Sequence, residues 1–191
     1  MCSSDLSQQI ELMINAENMG IAQALNQGCF RAMDLGFSWV LLLDQDSQVS
    51  PELVTALSRL HAYALDSTEV SSVAILAANF RDATGRVATQ IHSDVPGKRT
   101  QIAITSGSLL NMEVFQKIGP FRADYFIDEV DHEFCLRAQR RGYSIWLSRK
   151  ALLDHQLGAQ QRINLGTWQP AVSHHSATRR YYMARNRMAL L

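Results

Sequence analysis

The sequence predicts an α/β fold, in which a twisted, mainly parallel sheet carries helices on both of its faces. Segments with apolar residues at helical spacing alternate along the chain with short, continuous apolar runs that are typical of buried parallel strands. Glycine and proline residues stand at several of the joints between these segments. With 191 residues, 47% of them hydrophobic, the chain is expected to form one domain over residues 1–191.

The predicted elements follow one another in a helix–strand order. The first helix spans 21–35 and ends before Gly36, and the apolar run 39–43 predicts the strand that follows it. Ser50-Pro51-Glu52 supplies an N-cap, a proline at the first helical position and an acid in the first turn, so a helix is expected over 51–65. The remaining predictions are strands over 70–78, 101–105 and 143–147, and helices over 111–118, over 131–141 and from about 176.

The formal net charge is zero, but the charges are unevenly distributed along the chain. Residues 1–136 contain 8 Lys and Arg against 17 Asp and Glu, whereas residues 137–191 contain 10 against 1. An acidic part that can hold a metal is thus followed by a basic part that can bind phosphates. With a net charge of zero, no nucleic-acid partner is expected. The alternative is that a compact fold mixes these charges in space.

The sequence shows no membrane-spanning segment. Its longest apolar run, Val40 to Leu43, is far shorter than the roughly 20 residues that span a bilayer. The first nine residues lack the basic and apolar regions of a secretory signal, so a cytoplasmic location is expected. Cys29 and Cys135 belong to no Cys-x-x-Cys pair and are predicted to be buried, reduced thiols.

Two acids follow directly after the apolar strand that ends at Leu43. Asp44 and Asp46, separated by Gln45, can share one hard divalent cation, which in turn neutralises a diphosphate. The alternative is that these strand-end acids only form a turn. His155 follows a predicted strand and can complete the metal site, although a lone histidine is more often a packed or surface residue.

Three acids, Asp128, Glu129 and Asp131, stand within four positions at the start of a predicted helix. Their mutual repulsion would raise the pKa of at least one of them unless a cation or the helix N-terminus offsets it. A carboxylate tuned in this way can act as a general base near neutral pH. The alternative is that the acids only complement the helix dipole.

Asn18, Gly20 and Asn26 lie at the start of the first predicted helix and within it. Asparagine side chains and a glycine that opens a helix can approach a nucleotide closely. The same residue types also serve as plain helix caps.

Taken in this order, the motifs resemble the inverting GT-A glycosyltransferases of family two. The resemblance covers about residues 15–186 and rests on these segments: Asn18-x-Gly20, Asn26-x-Gly28, Asp44-Gln45-Asp46-Ser47, Thr105-Ser106-Gly107, Phe126-Ile-Asp128-Glu129-Val-Asp131, Cys135-Leu-Arg137 and His155. The Asp-Gln-Asp-Ser segment, the Phe-Ile-Asp segment and the tail Arg179-Arg-Tyr-Tyr182 with Arg185-Asn186 are most similar to bacterial rhamnosyltransferases.

The resemblance implies transfer of L-rhamnose, with inversion, from dTDP-L-rhamnose to a glycan or lipid-linked acceptor in polysaccharide biosynthesis. It implies Mg²⁺ or Mn²⁺ on Asp44, Asp46 and His155. By position Glu129 matches the family's usual catalytic Asp, but Asp128 or Asp131 can hold that role, because the longer Glu side chain moves the carboxylate. Substrate contacts are implied for Asn18, Gly20, Asn26, Gln45, Ser106, Gly107, Arg137 and Arg185.

Members of the family usually begin with a strand and helix that bind the nucleobase, and they continue past the Arg-Asn of the tail. The chain is therefore expected to be truncated at both ends. A noncatalytic sugar- or nucleotide-binding domain of the same fold is one alternative function. A metal-dependent nucleotidyltransferase or phosphohydrolase is another, although none of the three lysines follows a glycine-rich phosphate loop.

The tail predicts a helix with a cationic side and an apolar stripe. The cationic side holds Arg179, Arg180, Arg185 and Arg187, and the stripe holds Tyr181, Ala184, Met188 and Leu191. This pattern is typical of a segment that rests on an anionic membrane, here the inner face of the plasma membrane. The alternative is that the stripe packs on the sheet while the arginines face solvent or the donor diphosphate.

Overall fold

The computed structural model describes residues 10–67, 73–82, 84–92, 94–154, 160–162, 171–173 and 175–190. The helices are α1 (Ile21–Asp34), α2 (Leu53–Asp66), α3 (Met112–Ile118), α4 (Val130–Arg140) and α5 (Ala177–Leu190). The strands are β1 (Trp39–Leu42), β2 (Gln48–Val49), β3 (Val73–Arg81), β4 (Gly97–Arg99), β5 (Ser108–Asn111), β6 (Ser144–Asp154), β7 (Gln160–Arg162) and β8 (Ala171–Ser173). All five predicted helices are confirmed to within two residues at each described end.

The main sheet has the strand order β1-β5-β3-β6-β2, and β4 also pairs with β6. The α/β fold is confirmed, but the sheet is mixed instead of mainly parallel, because only β3 and β6 pair in parallel among the described strands. β5 inserts between β1 and β3, the two strands on either side of α2 in the sequence, and it runs antiparallel to both. β1 and β3 therefore do not form the parallel pair that their helical connection would otherwise favour.

The strand predicted over 101–105 is wrong. In this segment Ala103 is buried in the core on one side of the sheet and Ile104 packs against the core on the other side. These apolar residues are buried without joining a ladder, because β4 already pairs with Ser148, Leu147 and Trp146 of β6. Burial on both sides imitates the sequence pattern of a strand.

Helices cover both faces of the sheet, as predicted. α1, α3 and α4 pack on one face around Phe115, Phe134 and Ile145, with Cys29 and Cys135 buried among them. On the other face the apolar side of α2 packs against β3 and β6 through Leu53, Leu57, Leu60, Ala64, Val73, Leu76, Trp146, Leu152 and Leu153. The core thus fixes the ends of the strands from which the site residues project.

No helix in the described part of the chain is long and apolar enough to cross a bilayer.

Candidate active site

The first wall of the site begins where β1 ends. The Ser106 hydroxyl accepts a hydrogen bond from the backbone N–H of Asp44 at 3.1 Å and shares a 2.7 Å hydrogen bond with the Ser47 hydroxyl. The backbone N–H of Gly107 donates to Leu42 O at 2.8 Å. Ser106 is 1% exposed. Ser106 therefore holds the backbone of the segment Asp44-Gln45-Asp46 at both of its ends, through Asp44 and Ser47.

Gly107 is required by its surroundings. Its φ is +75°, and a β-carbon there would lie 2.9 Å from the β-carbon of Ala78. Ser106 and Gly107 therefore brace the strand-end acids, and substrate contact by either residue stays a prediction.

The second wall is the acidic loop, residues 126–131, which leads into α4. Phe126, Asp128 and Glu129 all have positive φ values, of 57°, 63° and 60°. The Ile127 N–H donates to Tyr125 O at 2.6 Å, which closes a tight three-residue turn centred on Phe126. Left-handed backbone at a non-glycine residue costs about 1–3 kcal/mol, so the rest of the fold must hold this loop in shape.

Two of the three loop acids are paired with cations from α5. Arg179 donates to both carboxylate oxygens of Asp128, at 3.0 Å each. Arg187 donates through Nε and Nη2 to Glu129 Oε1, at 3.0 and 2.9 Å. His132 Nδ1 bonds the second oxygen of Glu129. The basic part of the chain thus meets the acidic part in space.

The pKa values of Glu129 and Asp131 shift in opposite directions. Burial raises the pKa of Glu129, but the hydrogen bonds and charges of His132 and Arg187 outweigh it and hold the pKa below its usual range. Burial also raises the pKa of Asp131, and the hydrogen bond from the His132 backbone N–H does not offset it. No cation pairs with Asp131 within the described ranges.

The two walls face one cleft. A cavity of about 840 Å³ is lined by the face of α1 and by Asp44, Gln45 and Asp46. A second cavity of about 390 Å³ is lined by Asp44 and by the acidic loop, Asp131 included. Ile21, Leu25, Asp44, Ile127 and Arg179 line both cavities, which therefore adjoin. The structure thus brings the predicted metal acids and the predicted base cluster to a single site.

The donor set at the strand end fits a divalent cation. Asp46 is exposed and Asp44 is partly buried, and both place a carboxylate, a hard oxygen ligand, along the larger cavity. Within the described ranges no group of three or more His, Cys, Asp or Glu side chains is close enough to hold a metal. Magnesium sites commonly use one or two carboxylates together with substrate phosphates. His155 lies outside the described residues.

The predicted nucleotide motif consists of Asn18, Gly20 and Asn26, and of these Gly20 packs against the acidic loop. Asn18 Oδ1 accepts from the Gly20 N–H at 3.0 Å, and a β-carbon on Gly20 would lie 2.6 Å from Phe126 O. Asn26 is 3% exposed and exchanges two 2.8 Å hydrogen bonds with the backbone of Phe121. Gln45 lines the larger cavity. Among these four residues, Gln45 has the placement of a substrate ligand.

The two predicted substrate-binding arginines serve the framework. Arg137 binds both oxygens of Glu133, at 2.8 and 2.9 Å, and donates to the carbonyls of Ile118, Gly119 and Pro120 at the end of α3. Arg185 donates to Asp124 O and to the side chain of Asn186. Substrate contact by either arginine stays a prediction.

Sequence reasoning missed the partners of the acidic loop. It assigned no role to His132 and left Arg179 and Arg187 between solvent, membrane and a diphosphate. Asn186, which is 0% exposed, was noted only as part of the tail motif. The available signal was the excess of basic residues in 137–191, which had to be neutralised by acids elsewhere in the fold.

Comparisons with known proteins relate this chain to glycosyltransferases. The family described as Glycosyl transferase family 2 matches residues 2–119. A dTDP-rhamnosyl transferase, RfbF of Shigella flexneri, is 28% identical over 193 residues, covering 96% of this chain and 64% of the relative. The crystal structure of Staphylococcus aureus TarS 1–349 in complex with UDP superposes with a TM-score of 0.54 at 15% identity, covering 82% of this chain and 49% of that chain.

The structural likeness supports the GT-A fold, and the chain spans about two thirds of the curated relative it matches. The family match ends at Gly119, before the acidic loop, whereas the alignment with the Shigella protein covers nearly the whole chain. Because the family match covers more than half of its residues, this chain belongs to glycosyl transferase family 2.

Proposed function

We propose that this chain carries the catalytic site of an inverting transferase that moves a sugar from a nucleoside-diphosphate donor to an acceptor hydroxyl. Family membership supports the reaction class. The observation that carries the proposal is the placement of the strand-end acids and of the carboxylate Asp131 along two adjoining cavities, both of which Asp44 lines. Inversion needs a base on one face of the sugar and a stabilised leaving group on the other.

Asp131 is the proposed base. Asp128 and Glu129 are each held by an arginine of α5, which occupies carboxylate oxygens of both residues. Asp131 lines the cleft, and burial raises its pKa toward the range in which a carboxylate accepts a proton more readily. It takes the proton of the acceptor hydroxyl as that oxygen bonds to the anomeric carbon. The bond from this carbon to the donor phosphate breaks, and the nucleoside diphosphate leaves.

Asp44 and Asp46 would hold Mg²⁺ or Mn²⁺, which supplies positive charge against the leaving diphosphate. Arg179 is the one basic side chain along the larger cavity among the described residues. It is 43% exposed and already lies beside Asp128 at the boundary of the two cavities. The N–H groups of its guanidinium that do not bind Asp128 could donate to a phosphate oxygen while the pair with Asp128 stays intact.

The proposed donor is dTDP-L-rhamnose, and the proposed acceptor is a glycan or lipid-linked glycan. The donor rests on the name of the Shigella relative, a dTDP-rhamnosyl transferase. A UDP-sugar is the alternative donor, because the TarS neighbour binds UDP.

Contact with an anionic membrane is a further proposal, and it rests on α5. Tyr181 and Met188 are 60% and 74% exposed on this helix, so the predicted apolar stripe does not pack on the sheet at these two residues. Arg179 and Arg187 are bound to acids of the loop, which leaves Arg180 as an exposed cation of the predicted set. Attachment through this helix would therefore depend on the stripe more than on charge.

A transfer assay tests the function. Protein with Mn²⁺ is given dTDP-L-rhamnose or a UDP-sugar, and released nucleoside diphosphate is measured by chromatography. We expect turnover with the rhamnose donor. Asp131→Asn should lower kcat at least ~10²-fold with little change in diphosphate affinity, because a base acts on the transition state. Asp128→Asn is the matched control in the same loop, with a smaller expected loss.

The outcomes separate the alternatives. Near-normal turnover in Asp131→Asn would move the base elsewhere. Diphosphate binding without transfer or donor hydrolysis would favour the noncatalytic binding domain. Release of a nucleoside monophosphate instead of a diphosphate would favour the phosphohydrolase.

A further inference from the structure

The tail motif around Asn186 is not used by the chemistry proposed above, yet Asn186 is fully buried. Its Nδ2 lies within hydrogen-bond distance of three carbonyl oxygens at the acidic loop, those of Tyr125 and Ile127 at 2.9 Å and that of Asp128 at 2.8 Å, and these acceptors share its two N–H groups. One amide group thus joins three backbone carbonyls that lie 58 to 61 residues earlier in the chain. These carbonyls flank the left-handed residues Phe126 and Asp128, where the backbone most needs support.

The orientation of this amide is itself fixed. Arg185 donates through Nε and Nη2 to Asn186 Oδ1, at 3.0 and 2.7 Å, so the Nδ2 end must face the loop. The guanidinium of Arg185 lies 4.9 Å from the ring centre of Tyr182, and that ring stacks on Phe126 at 5.0 Å. Three neighbouring residues of α5 therefore act together on the same turn of the acidic loop.

We infer that Asn186 is a positioning residue for the proposed reaction, and that it acts by holding the acidic loop in its left-handed shape. The inference rests on the proposed function. Asn186 is absent from the lining of both cavities, so it acts through the backbone of the loop and not by touching a substrate. The loop backbone sets where Asp131 enters α4, and displacement of a catalytic group by about 1 Å can lower a rate ~10²-fold.

The test variant is Asn186→Asp, which keeps the size of the side chain and the acceptor for Arg185 but removes the Nδ2 donor. Met188→Asp is the matched control, because it adds the same charge to an exposed position of the same helix. Hydrogen exchange of the backbone amides in 123–131 reports the loop in the folded protein. Calorimetry with UDP or dTDP and Mn²⁺, together with kcat, reports the two walls of the cleft separately.

We expect exchange in 123–131 to become at least ~10-fold faster in Asn186→Asp and to stay unchanged in Met188→Asp. The kcat should fall at least ~10-fold, while diphosphate affinity changes less than ~3-fold. Wild-type exchange in the variant, or a loss of affinity in step with kcat, would overturn the inference. If Asn186→Asp does not fold, Arg185→Ala carries the same comparison, since it frees the amide of Asn186 to turn and also removes the contacts with Asp124 O and Tyr182.

Failure of the proposed function is distinguishable from failure of this inference. A parent protein that transfers no sugar would refute the proposed function. In that case the exchange rates still decide whether Asn186 holds the loop.

Discussion

The two walls of the cleft are built in different ways. The strand-end wall follows β1, a partly buried strand at the edge of the sheet and not the buried parallel strand that the sequence predicts, and its support comes from Ser106 and Gly107 on the neighbouring segment. The acidic-loop wall has three left-handed residues and is held by side chains of α5 about 50 to 60 residues further along the chain. The first wall therefore depends on the sheet, whereas the second depends on a helix that must dock correctly.

The largest effect that separates the walls is expected at Asp46. Asp46→Ala should weaken the Mn²⁺-dependent affinity for a nucleoside diphosphate at least ~10²-fold, since even partners of metal ligands contribute ~10–100-fold. Asp46 is exposed, so the fold and the acidic loop should be unaffected. Calorimetry measures the affinity, with Asp66→Ala as the control because Asp66 is an exposed acid outside the cleft. Unchanged affinity would refute the metal assignment.

The second effect concerns stability at the acidic-loop wall. Gly20→Ala places a β-carbon 2.6 Å from Phe126 O at a residue whose φ is +80°. We expect a loss of about 2 kcal/mol or more in the free energy of unfolding, measured in urea. Gly28→Ala is the matched control on α1, because its β-carbon meets nothing within 4 Å and alanine should stabilise the helix by roughly 0.5–1 kcal/mol. Equal changes in the free energy of unfolding for the two variants would show that the acidic loop can move away from the added β-carbon at little cost.

The same difference explains what the sequence could predict. Helix ends, the strand before Asp44 and the two acidic motifs are local patterns, and each was found at its predicted place. The direction of β5 was not predictable, because it depends on the place that β5 takes in the sheet, between β1 and β3, and no local pattern specifies that place. The sequence also left open which of Asp128, Glu129 and Asp131 is the base. The proposed choice of Asp131 depends on the pairing of the other two acids with Arg179 and Arg187 of α5.

The smallest expected effect is on stability as a function of pH, and it has opposite signs at two acids of the loop. The pKa of Asp131 is raised in the fold, so its contribution is favourable below the unfolded pKa of about 3.9 and is lost as the pH rises through the folded pKa. The pKa of Glu129 is lowered, so its contribution is present above the unfolded pKa of about 4.3 and is lost as the pH falls through the folded pKa.

Asp131→Asn should therefore raise the Tm at pH 7, because asparagine fills the same partly buried space without a charge to desolvate. The gain should shrink as the pH falls through the folded pKa of Asp131, because the parent carboxyl becomes neutral there. Glu129→Gln should instead lower the Tm at pH 7, since it removes the charge that Arg187 pairs with. Each kcal/mol corresponds to about 2–4 °C for a chain of this size, which calorimetric scans resolve. A lower Tm in Asp131→Asn at pH 7 would mean that the Asp131 carboxylate stabilises the fold. The base, which we expect to lower the stability of the fold in its ionised form, would then have to be another residue of the cleft.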